Sequence, residues 1–513
     1  MSIESPAAVP GAAGSTKVAA GTSAAPAKAV STKDGARWLA LAIIAIAQLM
    51  VVLDASIVNI ALPSAQKALH ISDASRQWVV TAYTLGFGGL LLLGGRISDY
   101  AGRKKMFVIG LLGFAAASAL GGIAPNAGLL LAARGLQGAF AAVLAPASLS
   151  LLTVTFTDAR ERAKAFGVYG AIAGGGAAIG LILGGVLTEY TSWRWCLLVN
   201  VPIALLAALA ATRYVRESRA EGNTKYDIPG AVLVTGGLVS LVYGFTKAEQ
   251  DGWSANSTIL FIAVGLIALA AFVLVEIRSK HPLLPMRVVL ERNRGGAFIA
   301  MFLVGVAMLS MFLFMTFYFQ GILGYSALRS GFAFLPFSVG IIVSAGLASS
   351  ALPRVGPRPL MILGLVMAAV GMFWLANVGV DTAWVTHVLP PEIVLSLGMG
   401  FVFVPLASLA LVGVGGHDAG VASALVNTTQ QVGGSLGTAL LNTVAASATA
   451  SYVASHAVSR VPSVELVKTA SVHGFSVAFI WGGLSIVLAL IAVLVLIRAG
   501  KDQVGTEAPV HIG

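Results

Sequence analysis

The sequence predicts an all-α integral membrane protein, and three observations carry that prediction. Hydrophobic residues make up 57% of the 513 residues and charged residues only 10%, whereas a soluble domain carries about 25% charged residues. Apolar runs recur at the length of about 20 residues that a helix needs to cross the core of a bilayer. The alternating pattern of transmembrane β-strands is absent from these runs. Because lipid offers no partner to backbone N–H and C=O groups, each run is predicted to be a helix.

Fourteen apolar segments follow one another along the chain. They cover 38–62, 76–95, 106–124, 128–151, 164–187, 195–212, 228–246, 257–276, 296–320, 329–350, 359–378, 391–413, 420–445 and 473–497. An even number of crossings places both termini on one side of the membrane. With Arg134 set aside, the Lys and Arg residues of the loops, tails and span ends then divide 24 to 7 in favour of that side. Since basic loops mark the cytoplasmic side, this bias predicts a multi-pass protein of the cell membrane with both termini in the cytoplasm. It also accounts for the net charge of +11 without a nucleic-acid partner.

The segments suggest a division of the chain into five parts. A disordered cytoplasmic tail is predicted over 1–36, a six-helix half over 37–213, two inserted transmembrane helices over 214–294, a second six-helix half over 295–498 and a cytoplasmic tail over 499–513. A weak internal repeat supports the two halves, because GRKKMFVIG at 102–110 matches GPRPLMILG at 356–364 in pattern. Transporters use such duplicated halves to rock about a central site.

Two charged residues lie deep inside predicted spans. Asp54 is about eight residues from the outer end of span 1, and Arg134 is about six residues from the outer end of span 4. At about 1.5 Å per residue, both lie roughly 9–12 Å below the outer surface. A charge there costs at least about 2.5–3.5 kcal/mol, so both residues are functional candidates. Opposite charges at one depth predict a shared polar cavity in which Asp54 carries a proton and Arg134 holds it ionised. A static ion pair that fixes helix packing is the alternative.

Uncharged side chains inside the spans supply candidates for a substrate cavity. The polar ones are Gln48, Asn59, Gln137, Asn427, Gln430 and Gln431. Exposure to lipid would be costly, so these groups are expected to face a cavity or a neighbouring helix. In span 9, the flexible and aromatic side chains of Met311, Phe312 and Phe319 suit varied apolar or cationic ligands, with packing against lipid or core as the alternative.

Three further features are candidates for conformational roles. In span 5, Gly180, Gly184 and Gly185 permit a close helix seam, which either slides or packs statically. In the loop after span 2, Gly102 permits a sharp turn and Arg103 anchors it at the anionic inner leaflet, while Asp99 is expected to latch one access state. Topology anchoring is the alternative for this loop. Glu392, at an outer span end, is a candidate second protonation site.

Other chemistry is not expected from this chain. Cys196 is the single cysteine, so an internal disulfide or cysteine cluster cannot form. The sequence contains no paired acidic metal motif, histidine cluster or nucleotide-cradling loop. We therefore expect neither a metal nor another cofactor, and no enzymatic activity.

Several motifs together resemble the major facilitator superfamily, and most closely its fourteen-span drug:proton antiporter family. They are LDASIVNIALP at 53–63, GRISDYAGRKK at 95–105, RGLQG at 134–138, WRWCLLVNVP at 193–202, and GYSALRSG with LP at 324–336. The resemblance extends from about Arg37 to Arg498. It implies a major facilitator fold, with two six-helix halves plus two extra helices, fourteen transmembrane helices in all. It also links Arg134 to proton coupling.

The resemblance implies a function as well. The expected activity is proton-coupled efflux of hydrophobic or amphiphilic small molecules, including drugs, by alternating access in a monomer. One position differs, because Leu181 in GLILGG at 180–185 stands where the family's span 5 motif has proline. A mycobacterial efflux protein of the family is similar here, which implies lipid or lipid-like cargo. Translocation of phospholipid or a lipid-like molecule is therefore the alternative function, with uptake by symport a further one.

Overall fold

A computed structural model describes residues 32–156, 159–219, 227–279, 282–284, 286–412, 419–457 and 462–500. All regular secondary structure in these ranges is helical. The first part contains α1 (Thr32–Ala68), α2 (Asp73–Arg76), α3 (Trp78–Ala101), α4 (Arg103–Gly122), α5 (Ala127–Thr155), α6 (Ala159–Tyr190), α7 (Trp195–Leu198) and α8 (Asn200–Tyr214). Next come α9 (Ile228–Asp251) and α10 (Asn256–Arg278). The last part contains α11 (Met286–Val289), α12 (Arg292–Phe317), a π-helical turn (Tyr318–Ile322), α13 (Ala327–Ala333), α14 (Leu335–Val355), α15 (Pro357–Leu375), α16 (Trp384–His387), α17 (Leu389–Leu411), α18 (Ala419–His456) and α19 (Val464–Leu496).

The helices bear out the predicted all-α membrane fold. Within the described residues, twelve helical segments are long and apolar enough to cross a membrane. Two more long helices, α6 with 32 residues and α18 with 38, coincide with the predicted segments 164–187 and 420–445. The count of fourteen crossings stays a prediction. The predicted division into five parts stays a prediction: α1 begins at Thr32, within the predicted tail 1–36, and residues 1–31 and 501–513 lie outside the described residues.

The long helices form two bundles with a helix pair beside them. In the first bundle α3 and α4 pack on α5, α1 packs on α6, and α4 packs on α8. In the second, α14 and α15 pack on α17, while α12 packs on α18 and α19. The inserted helices α9 and α10 pack on each other, and α9 also contacts α3 and α18. Most of α10 is exposed, which suits a helix that faces lipid.

The internal repeat is visible in the packing of the two bundles. A Cβ atom added to Gly110 of α4 would lie 3.0 Å from the Leu144 side chain of α5. A Cβ atom added to Gly364 of α15 would lie 2.5 Å from the Gly398 carbonyl oxygen of α17. The two pairs have the same register, so α4 with α5 corresponds to α15 with α17. Glycine is needed at both positions because the helix axes approach closely.

The two bundles meet along α3 and α18, and also on the side opposite the chain ends. Glu189 of α6 accepts a hydrogen bond from the Leu328 backbone N–H of α13 at 3.0 Å. Gln320 Nε2 donates to the Ile60 carbonyl of α1 at 2.9 Å. The Arg76 guanidinium lies over the Phe317 ring, 3.9 Å from its centroid. We call this set the outer contact, because it lies on the predicted outer side.

Candidate functional site

A buried ion pair joins α1 to α5. Arg134 Nη1 donates to Asp54 Oδ2 at 2.5 Å. The exposed fractions are 0% for Asp54 and 1% for Arg134. Ions buried this deeply are tolerated only when geometry and further hydrogen bonds offset their loss of water. The surroundings of both groups therefore decide what the pair can do.

Two amide side chains complete the coordination of Asp54. Gln137 Nε2, one helical turn after Arg134 on α5, donates to Asp54 Oδ1 at 3.0 Å. Asn200 Nδ2, at the start of α8, donates to the same oxygen at 2.8 Å. The carboxylate thus accepts three hydrogen bonds from two helices. A proton bound to Asp54 would occupy one of these oxygens and weaken the attraction of Arg134, so the charge of Asp54 is linked to the packing of α1 against α5 and α8.

The Arg134 guanidinium is held from three directions. Its Nε donates to the Val79 carbonyl of α3 at 3.0 Å, and Nη1 also reaches Gln137 Oε1 at 2.9 Å. Its Cζ lies 4.5 Å from the centroid of the Tyr83 ring, a cation–π geometry. Gln137 further donates to Ser118 Oγ of α4 at 2.6 Å. We call Asp54, Arg134, Gln137, Asn200, Ser118 and Tyr83 the charged network.

The charged network differs in one respect from the shared cavity that the sequence predicts. Asp54 and Arg134 do meet, but every member is almost fully buried inside the first bundle, so this conformation shows no open cavity at the pair. The sequence also identified Gln137, whereas Asn200, Ser118 and Tyr83 were missed. Asn200 carried the same signal as Gln137, an amide within an apolar span. Ser118 and Tyr83 carried none, because such residues are common in membrane helices.

Glycine allows the helices of the network to approach. A Cβ atom added to Gly138 of α5 would collide with the Tyr83 carbonyl oxygen and lie 2.8 Å from the Phe87 nitrogen of α3. The neighbouring Gly135 has nothing within 4 Å of an added Cβ atom. The two glycines share one helix and one local sequence, yet only Gly138 faces a close backbone. Gly138 therefore positions α3 and Tyr83 against Arg134.

We expect Gly138→Ala to destabilise the protein, and Gly135→Ala to leave it unchanged or slightly more stable. Overpacking against a backbone costs about 1–3 kcal/mol, whereas Gly to Ala in an open helical position gains about 0.5–1 kcal/mol. Thermal unfolding in detergent micelles measures both variants against the parent. Equal unfolding temperatures for the two variants would contradict the assigned close approach.

The glycines of span 5 serve two different contacts. Gly180 packs against the Ser56 side chain of α1, and an added Cβ atom at Gly184 would lie 2.9 Å from the Ile57 carbonyl oxygen. An added Cβ atom at Gly185 would lie 2.6 Å from Leu328 Cα of α13, in the other bundle. Leu181 is buried in the core cluster there, and α6 is continuous from Ala159 to Tyr190. Leu181, which stands where the resembled motif has proline, is thus a buried side chain in a continuous helix, and its carbonyl lies against Gly331 of α13.

The loop after α3 forms its hydrogen bonds within the first bundle. Gly102 has φ +115°, a conformation that favours glycine. Arg103 Nε donates to Asp99 Oδ1 at 2.9 Å, and Ser150 Oγ of α5 donates to the same oxygen at 3.2 Å. The Glu217 carboxylate accepts from two backbone N–H groups in the first turn of α4, a helix cap that the sequence did not reveal. Asp99 does not bridge the bundles in these contacts, and its latch role stays a prediction.

The predicted cavity residues do not form one group. Met311 and Phe319 are buried in the core cluster, and the partly buried Phe312 packs on two phenylalanines. Gln48 accepts a hydrogen bond from Tyr169 Oη at 2.7 Å, and Asn59 donates to the Ala55 carbonyl of its own helix at 3.2 Å. On α18, Asn427 is exposed, while Gln430 and Gln431 are partly buried where that helix packs between α12 and α3. Their contact with cargo stays a prediction.

Two helical bundles whose helix packing repeats, as in α4 with α5 and α15 with α17, are an architecture of secondary transporters. The chain belongs to the Major Facilitator Superfamily, whose family model matches residues 44–438. This is a family of membrane transporters rather than enzymes. The family resemblance predicted from the motifs is thereby confirmed.

Its relatives include antibiotic resistance and export proteins. The puromycin resistance protein pur8 of Streptomyces alboniger is 49% identical over 481 residues, which cover 93% of this chain and 95% of that protein. The cephamycin export protein CmcT of Amycolatopsis lactamdurans is 40% identical, covering 82% of this chain and 87% of its own. The uncharacterized transporter EfpA of Mycobacterium tuberculosis is 38% identical, with coverages of 78% and 76%. The resemblance to the drug-exporting branch is therefore supported by sequence along most of the chain.

Solved structures share the fold. A bacterial homologue of the human lysosomal transporter Spinster superposes with a TM-score of 0.64 at 14% identity, covering 93% of this chain and 100% of that one. The xylose transporter XylE of E. coli gives a TM-score of 0.58 at 14% identity, with coverages of 91% and 99%. At these identities the likeness concerns the fold alone.

Proposed function

We propose that the protein is an efflux transporter that exports hydrophobic or amphiphilic small molecules, antibiotics among them, in exchange for protons. The export of antibiotics is supported by the named activities of relatives that align along most of the chain. Proton coupling is supported by one observation above all, the buried Asp54 carboxylate and its pairing with Arg134. Asp54 can lose its charge by binding a proton, whereas Arg134 cannot lose its own.

Protonation of Asp54 would convert its charge into a change of helix packing. A neutral Asp54 attracts Arg134 less strongly and loses one of its acceptor sites to the bound proton. The Arg134 guanidinium then keeps only its contacts to Val79, Gln137 and Tyr83. We infer that this weakens the hold of α5 on α1, so that the first bundle tilts against the second. One proton that enters along the membrane potential supplies about 2.3 kcal/mol per 100 mV for this step.

Transport into inverted membrane vesicles tests the proposal. Radiolabelled puromycin is expected to accumulate when the vesicle lumen is acidified, and a protonophore should abolish the accumulation. Vesicles without the protein are the control. Accumulation that is insensitive to the proton gradient would contradict proton coupling. Gradient-independent movement of a fluorescent phospholipid, without puromycin transport, would instead support the alternative lipid function.

A further inference from the structure

A second acidic side chain is buried in the other bundle. Glu392 lies in the first turn of α17 with only 4% of its surface exposed. Within the described part of the chain, neither of its carboxylate oxygens has a hydrogen-bond partner. The charged network does not include it, and no salt bridge of the described residues involves it. Proton exchange at Asp54 and Arg134 does not involve Glu392.

Glu392 lies beside a break in a neighbouring helix. Its carboxyl group is close to the backbone of Phe337, in the first turn of α14, without a well-formed hydrogen bond. The break is a missing backbone hydrogen bond rather than a change of direction: Phe334, between α13 and α14, keeps a helical backbone, and Pro336 in the first turn of α14 has no N–H to donate. The Phe337 ring packs edge-on against Phe312, with 5.1 Å between centroids. The surroundings are therefore apolar, apart from the partial positive charge of one helix N-terminus.

Charged and titratable groups on the neighbouring elements face elsewhere. Arg329 of α13 stacks over Tyr325, His387 of α16 is exposed and bonded to Thr386, and Tyr318 donates to the Gly379 carbonyl. Of the others on the described parts of these elements, Tyr452 of α18 stacks on His456. The rest lie at the far helix ends or on the surface: Arg292 and Arg294 on α12, Arg354 on α14, Arg358 on α15, Asp381 before α16, and His456 on α18. A carboxylate buried without a counter-charge is strongly disfavoured, so the neutral acid is the form that suits this packing.

The position of Glu392 connects it to the outer contact. Its neighbour α14 continues from α13, and α13 is the element that meets α6 of the first bundle. The Leu328 N–H donates to Glu189, and Gly331 lies against the Leu181 carbonyl. An opening of the outer contact separates α13 from α6, and a helix interrupted by proline bends most easily at its missing hydrogen bond. Water would then reach the carboxyl group beneath that break.

We propose that Glu392 is a second proton-binding site, and that the outer contact closes only when this residue is protonated. In the open form, the Glu392 carboxylate takes a proton from a hydronium ion of the outer medium and leaves one water molecule. Closure then buries a neutral side chain. The inference rests on the proposed function in one respect, because it makes closure of the outer side, after cargo has left, depend on proton uptake.

Distance measurements across the outer side test this inference. Spin labels at Lys67→Cys in the last turn of α1 and at Val464→Cys at the start of α19 lie in opposite bundles, on exposed side chains. The labelled protein carries Cys196→Ser, which removes the only native thiol. In lipid nanodiscs, the parent is expected to show a short distance in mildly acidic buffer and a growing long-distance population in alkaline buffer. In Glu392→Gln, which mimics the protonated acid, the distance between the labels should stay short at every pH. In Glu392→Asp, the distance should still change with pH.

The outcomes separate this inference from the proposed function. A Glu392→Gln protein whose distances respond to pH like the parent would overturn the inference, even where transport is proton-coupled. A parent that shows the Glu392-dependent distance change but no proton-driven transport would overturn the proposed function and support the inference. Thermal unfolding of Glu392→Gln checks that the variant is folded, and we expect it to be at least as stable as the parent.

Discussion

Proton-driven transport is expected to fall to the level of protein-free vesicles in Asp54→Asn. The amide has nearly the same shape as the acid but cannot exchange a proton at this site. Its oxygen can still accept the hydrogen bond from Asn200, so the helices are expected to remain assembled. Accumulation of radiolabelled puromycin in inverted vesicles with an acidic lumen measures the effect. Cargo exchange without a gradient, which needs no net proton movement, should persist.

Thr153→Ala is the matched control for this variant. Thr153 lies on α5, the helix that carries Arg134, and its exposed side chain donates to the Leu149 carbonyl of that same helix. We expect transport by Thr153→Ala to remain close to that of the parent. Asp54→Asn transport at the parental rate, with the parental dependence on pH, would show that the proton is carried elsewhere.

Arg134→Leu is expected to destabilise the protein by about 3–5 kcal/mol, because it leaves the buried Asp54 charge without its partner. The double variant Asp54→Leu with Arg134→Leu should recover most of that loss, since a buried ion pair replaced by apolar side chains is often neutral or stabilising. Thermal unfolding of the parent, both single variants and the double variant forms a double-mutant cycle. The double variant should nevertheless lack proton-driven transport.

The stability and the transport of the double variant together distinguish a role of the ion pair in proton coupling from a purely structural role. Recovered stability together with lost transport means that the pair is kept for function. Recovered stability with parental transport would mean that the pair only fixes helix packing, which is the alternative that the sequence left open. Strictly additive losses of stability would contradict a direct interaction between the two side chains.

The fold was predictable because the cost of burying backbone polar groups in lipid leaves a membrane chain few choices. The same cost revealed Asp54, Arg134 and Gln137, since a charge or an amide stands out in an apolar run. Met311 and Phe319 show the limit of this reasoning. They suit a ligand by chemistry and equally suit the core cluster in which both are buried, because composition does not tell which way a side chain faces. Their contact with cargo stays a prediction.

The sequence by itself thus determined the membrane class, the order of the helices, the family and the two charges that carry the proposed coupling. Only the tertiary structure decided that Asn200 bonds to Asp54, that the network is sealed inside one bundle, and that Glu392 lies buried beside the break at Phe334. The reason is physical. The cost of burying a polar group in lipid can be judged for each residue from its own segment. The hydrogen-bond partner of that residue depends instead on how helices far apart in the chain are rotated and packed. Close contacts at glycines such as Gly138, which lies against the backbone of α3, set that packing.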